Sequence, residues 1–311
     1  MSQPELEQTA QLLNVVFAPD PPIVPEELHW FYNLNPEGSA PVGRMDEGGQ
    51  QVGNYALVPI RFDHSDGRVL RLGLGVDLAV HPTARGTGTF RSTVEESYRQ
   101  GAEAGLDGIL GVANAQSSSR MVETLGWRLL PSLPLRLLVP KWPLGLIETV
   151  LIDSNFLSEG RLQDLLPQRT PAAPKGFSTT WSADLLTWRL ARPRGEYALH
   201  IFEDFLAVST RTSFSGLPVA VVLKAVPRRL TEGPVEGGHI AGAIALHHRT
   251  PLVVHWGVNP SVDFRGPAVP RRFLPRPLDL VLHVFGNGSG LRFDREEFNI
   301  TGFEFLDFDA Y

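Results

Sequence analysis

The chain has 311 residues, a formal net charge of −6 and no cysteine. That length suggests two ordinary domains or one large one. Disulfides, thiolate metal sites and a cysteine nucleophile are excluded. With no lysine or arginine run as long as five residues, the chain lacks the basic patch of a nucleic-acid platform.

The opening MSQPELEQTA has neither a basic nor an apolar leader segment, so no secretory signal is expected and a cytoplasmic location is. Residues 2–18 predict a helix, with Leu6, Ala10, Leu13 and Phe17 on one face. Prolines stop it, and a short helix carrying Leu28, Trp30, Phe31 and Tyr32 follows from Pro25. Residues 52–62 and 69–80 read as two strands joined by a turn at 63–67, with Leu70, Leu72, Leu74, Val76, Leu78 and Val80 on one face of the second. Residues 89–105 are helical by period, with Phe90, Val94, Tyr98 and Ala102 recurring and Gly105 as the stop. A strand at 106–112, a helix at 117–125 and a strand from Trp127 complete this part. The apolar stretch 129–152 is broken by Arg136, Lys141, Glu148 and prolines, so it is no membrane span.

Residues 131–177 read as a connector with a helix around 153–166. Beyond it, residues 178–311 look mainly like strands, at 197–210, 218–225, 239–247, 252–257 and 278–285. A weak echo links the halves: Leu28-His29-Trp30, Pro36 and Gly38 before one strand, then Leu186-Thr187-Trp188, Pro193 and Gly195 before another.

The segment with the clearest chemistry runs from Val76 to Phe90, VDLAVHPTARGTGTF. A strand ends at Val80, a loop with two glycines follows, and a helix begins near Thr89. Glycines allow positive φ and a close ligand. Consecutive N–H groups form an anion nest, and the helix start adds about half a positive charge. No lysine with Ser/Thr follows the glycines and the spacing is not GxGxxG, so neither a P-loop nor a dinucleotide fingerprint is indicated. A plain glycine-rich turn without ligand is the alternative.

This segment resembles motif A of the GNAT superfamily of N-acetyltransferases, Arg/Gln-x-x-Gly-x-Gly/Ala between a strand and a helix. Arg85 and Gly88 take its first and fourth positions, while Phe90 departs from the small last residue. Asn114-Ala115-Gln116-Ser117 with Leu125-Gly126-Trp127 resembles the superfamily's Asn…Gly-aromatic segment, and Trp30…Asn35-Pro36-Glu37-Gly38 resembles a bacterial subgroup. The resemblance covers residues 10–130, with a degenerate second lobe after it. It implies an α/β (α+β) acyl-CoA N-acyltransferase fold, a mixed central sheet flanked by helices. The domains would be a GNAT domain at 1–130, the connector at 131–177 and a degenerate GNAT-like lobe at 178–311. It further implies acetyl-CoA as cosubstrate, an amine acceptor, and no metal, nucleic acid or membrane partner.

By the same resemblance Leu78, Ala79 and Val80 pair with the pantetheine arm. Arg85, Gly86, Thr87, Gly88, Thr89 and Phe90 form the pyrophosphate loop, and Asn114 lies near the pantetheine or acyl end. A tyrosine five residues before the aromatic usually serves as acid, but Val122 holds that place. The usual base positions are Leu74 and Val76, both apolar. Asp77 is the strand's only carboxylate and would face the site only through a bulge. Tyr32 and Tyr55 are further polar candidates. Two-lobed relatives of the Eis type suggest the carboxylate of Tyr311 as another base. His247, His248 and His255 read as structural. A non-catalytic acyl-CoA binder or sensor is the rival expectation. A tRNA-dependent aminoacyl transferase is a third, disfavoured by the acidic charge and the intact loop.

Overall fold

The computed structural model describes residues 1–113, 115–143, 145–166, 175–229, 233–270, 278–285 and 298–308, apart from the side chains of 115–117 and 120. They form two compact units. The first comprises Met1–Arg61, Leu70–Leu130 and a piece that begins at Asp279; the second comprises Phe62–Val69, Pro131–Leu278 and the described C-terminal residues.

The first unit opens with helix α1, Gln3–Phe17. Ser2 starts it by pairing its backbone N–H and its hydroxyl with Glu5. The short helix α2, Pro25–Leu28, runs into a π-helical turn, His29–Asn33. Three strands follow, β1 (Val42–Glu47), β2 (Gln50–His64) and β3 (Val69–Val80), then helix α3 (Thr89–Glu103), strand β4 (Gly108–Ala113), helix α4 (Ala115–Leu125) and strand β5 (Arg128–Leu129). β1 pairs antiparallel with β2, and β3 lies between β2 and β4. The α3 crossover makes β3 and β4 parallel.

Strand β3 explains its own neighbourhood. Leu70, Leu72 and Leu74 are buried on one face. On the other, a Cβ at Gly73 would come 2.7 Å from Leu57, and one at Gly75 would come 2.2 Å from the Tyr55 hydroxyl. The expected single apolar face from Leu70 to Val80 does not persist. Asp77 adopts φ 55, which resets the alternation, and the buried residue beyond it is Ala79.

The second unit contains strands β6 (Leu135–Leu137) and β7 (Glu148–Leu151), helices α5 (Ser154–Ser158) and α6 (Arg161–Leu165), strand β8 (Phe177–Thr179) and helix α7 (Ala183–Leu190). Then come strands β9 (Ala198–Ile201), β10 (Phe205–Phe214), β11 (Leu217–Pro227) and β12 (Val235–Glu236), helix α8 (Gly237–His248), and strands β13 (Val253–Val258) and β14 (Val262–Asp263). Strand β15 (Asp279–Val284) belongs to the first unit, where it pairs antiparallel with β4. Strand β16 (Ile300–Glu304) and helix α9 (Phe305–Phe308) end the described chain.

The order α7, β9, β10, β11, α8, β13 repeats α2, β1, β2, β3, α3, β4. Both have an antiparallel meander, a helix, and a parallel return: Ala220, Val221 and Val222 pair with Val253, Val254 and His255. Its core gathers Phe205, Val222, Ile240, Ile244 and Val253.

Three expectations need correction. Residues 239–247 are the helix α8, not a strand. Ile240, Ala241, Gly242, Ala243 and Ile244 are all buried, so the run is apolar all round and shows neither period. Residues 197–210 are two strands, because Glu203-Asp204 turn the chain and Leu206 pairs back with Ile201. The helix expected around 153–166 is broken at Gly160, which takes φ 70. Among the described residues no helix is long and apolar enough to cross a membrane.

Candidate active site

The site is built where β3 and β4 part. Their parallel pairing runs from Leu72 and Gly108 to Gly75 and Gly111 and stops there. Val112 and Ala113 of β4 pair instead with β15. The left-handed Asp77 bends β3 just past the last rung, as a bulge does. A fork therefore opens along Leu78, Ala79 and Val80, the strand residues expected to face an extended ligand arm.

The fork leads to the loop. Pro82–Ala84 is a 3-10 turn, and Thr87 Oγ1 ties the loop by donating to the Ala84 carbonyl at 2.8 Å. Arg85, Gly86, Thr87 and Gly88 are exposed. Gly86 and Gly88 take φ 85 and φ 91, and a Cβ at either would meet nothing within 4 Å. Gly88 is the N-cap of α3; it supplies no side-chain cap, and the first turn carries no acidic residue. The first N–H groups of α3 thus point into open space with no carboxylate to compete, a favourable place for an anion. Thr89 is buried, and Phe90 packs half-buried against the cluster of Tyr55, Val94, Ile109 and Met121. This accounts for the large residue at the motif's last position.

Asp77 is where a polar chain ends. The Tyr32 hydroxyl donates to Asp77 Oδ2 at 2.5 Å. Asn54 Nδ2 donates to the Asp77 carbonyl at 3.0 Å, Gln51 donates to Asn54 Oδ1 at 3.1 Å, and Thr9 Oγ1 donates to Gln51 at 2.8 Å. Asn54 and Tyr32 are fully buried, while Asp77 is partly exposed. Burial, and then the Asp77 carboxylate, push the Tyr32 phenol well above its ordinary value, so it remains a proton-bearing donor. The Tyr32–Asp77 pair spans 45 residues of sequence. The one local sign of it was the aromatic run 30–32, here held in a π-helical turn, a feature common at functional sites.

Of the other candidates, Val122 on α4 is partly exposed and offers no acid. Asn114 and Tyr311 lie outside the described residues. Tyr55 sits on the opposite face of β2 from Asn54, within the apolar cluster. His255 Nε2 lies 2.9 Å from Glu304 Oε1, and His248 Nε2 lies 2.8 Å from the Ser209 hydroxyl. Among the described residues no group of three or more His, Asp or Glu could hold a metal ion.

The second unit's counterpart of the fork is filled by its own chain. The β10–β11 register shifts just past the β11–β13 pairing, next to Lys224. Phe303 and Glu304 of β16 pair with Val258 and Gly257 of β13. Lys224 Nζ lies 2.7 Å from Asp307 and 3.1 Å from Glu304. Burial alone would drive the Lys224 pKa down, but the carboxylates of Asp307 and Glu304 outweigh it and hold it above its ordinary value. α8 begins behind Glu236, so its N-terminus already has a carboxylate nearby.

No protein-family model and no curated protein matches the sequence. Solved structures do. A conserved protein of Enterococcus faecalis described as a probable N-acyltransferase superposes with TM-score 0.59 at 12% identity, covering 92% of this chain and 71% of that one. A GCN5-related N-acetyltransferase of Anabaena variabilis gives TM-score 0.55 at 11% identity, over 92% and 71%. Eis1 of Mycobacterium abscessus gives 0.53 at 14% identity, over 92% and 72%. At such identities the likeness speaks for architecture, and it extends through both repeats: the chain has the fold of the GCN5-related N-acetyltransferases.

Proposed function

We propose that this protein is an N-acyltransferase that moves an acetyl group from acetyl-CoA to a primary amine by direct attack in a ternary complex. The observation that carries the reading is the fork beyond Gly75 and Gly111, opening onto an exposed two-glycine loop at an uncapped helix start. A pyrophosphate suits the N–H groups of Gly86 to Phe90, and a pantetheine arm suits the strand edge of Leu78, Ala79 and Val80. Asp77, aimed by the bulge and held by Tyr32, is the residue placed to take the amine's proton. Holding both reactants at the fork supplies proximity, which does much of the rest.

Acetyl-CoA should bind with one site per chain, because Glu304 and Asp307 occupy the second fork. At ~100 times its dissociation constant it should stabilise the protein by about 2.7 kcal/mol. Calorimetry and thermal melting check this; no binding at millimolar acetyl-CoA overturns the reading, and two sites overturn the account of the second lobe. A second reading, an acyl-CoA binder without turnover, draws on Val122 standing where an acid would be. Release of free thiol from acetyl-CoA with a panel of amines separates the two.

A further inference from the structure

Tyr55 on β2 is 1% exposed, and its hydroxyl has no hydrogen-bond partner among the described residues. It lies over Gly75, where a Cβ would come within 2.2 Å of Oη and 2.9 Å of Cζ. Only glycine leaves room for the phenol there, on a strand position where glycine otherwise weakens the sheet. Gly75 is also the last residue of β3 to pair with β4, opposite Gly111. The unpartnered hydroxyl therefore sits at the root of the fork.

Its face is fixed by its neighbour. Asn54 turns its side chain to the Asp77 carbonyl and the Tyr32 hydroxyl. Successive strand residues point to opposite faces, so Tyr55 points away from Asp77. There it packs with Val94 of α3, Ile109 of β4 and Met121 of α4, and Leu78 and Phe90 rest against the same cluster. One apolar surface thus joins the loop, the fork and the hydroxyl. The fork has a carboxylate on one face and a phenol on the other. Other side chains here offer no such group: the Tyr98 hydroxyl is engaged by Trp127 Nε1 at 2.6 Å, and position 122 is valine.

Resting on the acyltransferase reading, we propose that the Tyr55 hydroxyl donates a hydrogen bond to the thioester sulfur and stabilises the thiolate as it leaves. A thioester arm entering from the α3 loop reaches the fork on the Tyr55 face and presents its acyl carbon toward Asp77. The nitrogen–carbon bond forms as the carbon–sulfur bond breaks. The sulfur leaves with the bonding pair as a thiolate held by Tyr55, the amine's proton passes to Asp77 and on to water, and the thiolate takes a proton from water after release. Burial, with Tyr98 nearby, pushes the Tyr55 phenol far above its ordinary value, so it stays protonated and acts as a donor rather than an acid.

Tyr55→Phe tests this. The turnover number should fall roughly 10- to 100-fold, the loss expected for one hydrogen bond to a developing charge, with acetyl-CoA affinity little changed. Bound coenzyme A, titrated by its thiolate absorbance, should show a thiol pKa raised by about one to two units in the variant. The unliganded variant should melt no lower than wild type, because the hydroxyl removed has no partner to lose. Turnover within two-fold of wild type, an unshifted thiol pKa, or a lowered melting temperature would each overturn the proposal. Wild type that binds and turns over while Tyr55→Phe matches it sinks this role alone; wild type that binds no coenzyme A sinks the acyltransferase reading with it.

Discussion

Lys224→Met should unseat the end of the described chain. The lysine is buried, with its side chain 6% exposed between carboxylates that are 0% and 1% exposed. Its ammonium also donates to Thr179 Oγ1 at 3.3 Å and lies 5.3 Å from the Trp181 ring centre. Methionine keeps the volume and removes the cation. Two carboxylates then share a site without a compensating charge, a loss of about 3–5 kcal/mol for breaking a buried pair. The low end applies, because Glu304 keeps His255 and Asn259 as partners, and Asp307 keeps Trp181 and the Glu304 N–H. A loss of about 3 kcal/mol should lower the melting transition by roughly 6–12 °C in a domain of this size. Calorimetry and urea unfolding measure it, and hydrogen exchange should show Ile300–Phe308 opening first. Adding Glu304→Gln and Asp307→Asn to Lys224→Met should restore most of the loss. A single variant within about 1 kcal/mol of wild type would refute the argument that this cation holds the segment.

Gly88→Val should nearly abolish acetyl-CoA binding with the fold intact: φ 91 is costly for a β-branched residue, and the side chain would enter the space the anion needs. Calorimetry on the variant checks this, and unchanged affinity makes the loop merely structural. Asp77→Asn should lower turnover by roughly 10²–10⁴-fold with acetyl-CoA affinity kept, whereas residues added after Tyr311 should do little harm. The reverse pattern in steady-state kinetics would move the base to the Tyr311 carboxylate. Burial, with His247 and His248 beside it, pushes the His200 imidazole down to about 3. The unfolded chain therefore binds the proton first, and stability contributed by His200 falls as pH drops below about 6.5, by roughly 1.4 kcal/mol per pH unit. Half-exposed His248, lowered to about 4, adds a smaller share. His200→Gln should flatten urea-unfolding stability between pH 6.5 and 4, and an unchanged slope would count against the assignment.

The sequence determined what short range decides. The hairpin of β2 and β3, the two-glycine loop and the amphipathic α3 were legible because turn chemistry, strand alternation and helix period act over a few residues. The internal echo around Trp30 and Trp188 pointed to the repeat that the two meanders now display. Only the tertiary structure decided the rest. Helix α8 is buried on all sides, so burial erased the period that would have marked it. β15 reads locally as one more strand of the second half, yet its partner β4 lies in the first unit. The Tyr32–Asp77 bond joins residues 45 apart, and Lys224 meets Asp307 across 83. A bulge, a fork and a buried charge each depend on which distant backbone lies alongside, and no local pattern encodes that pairing.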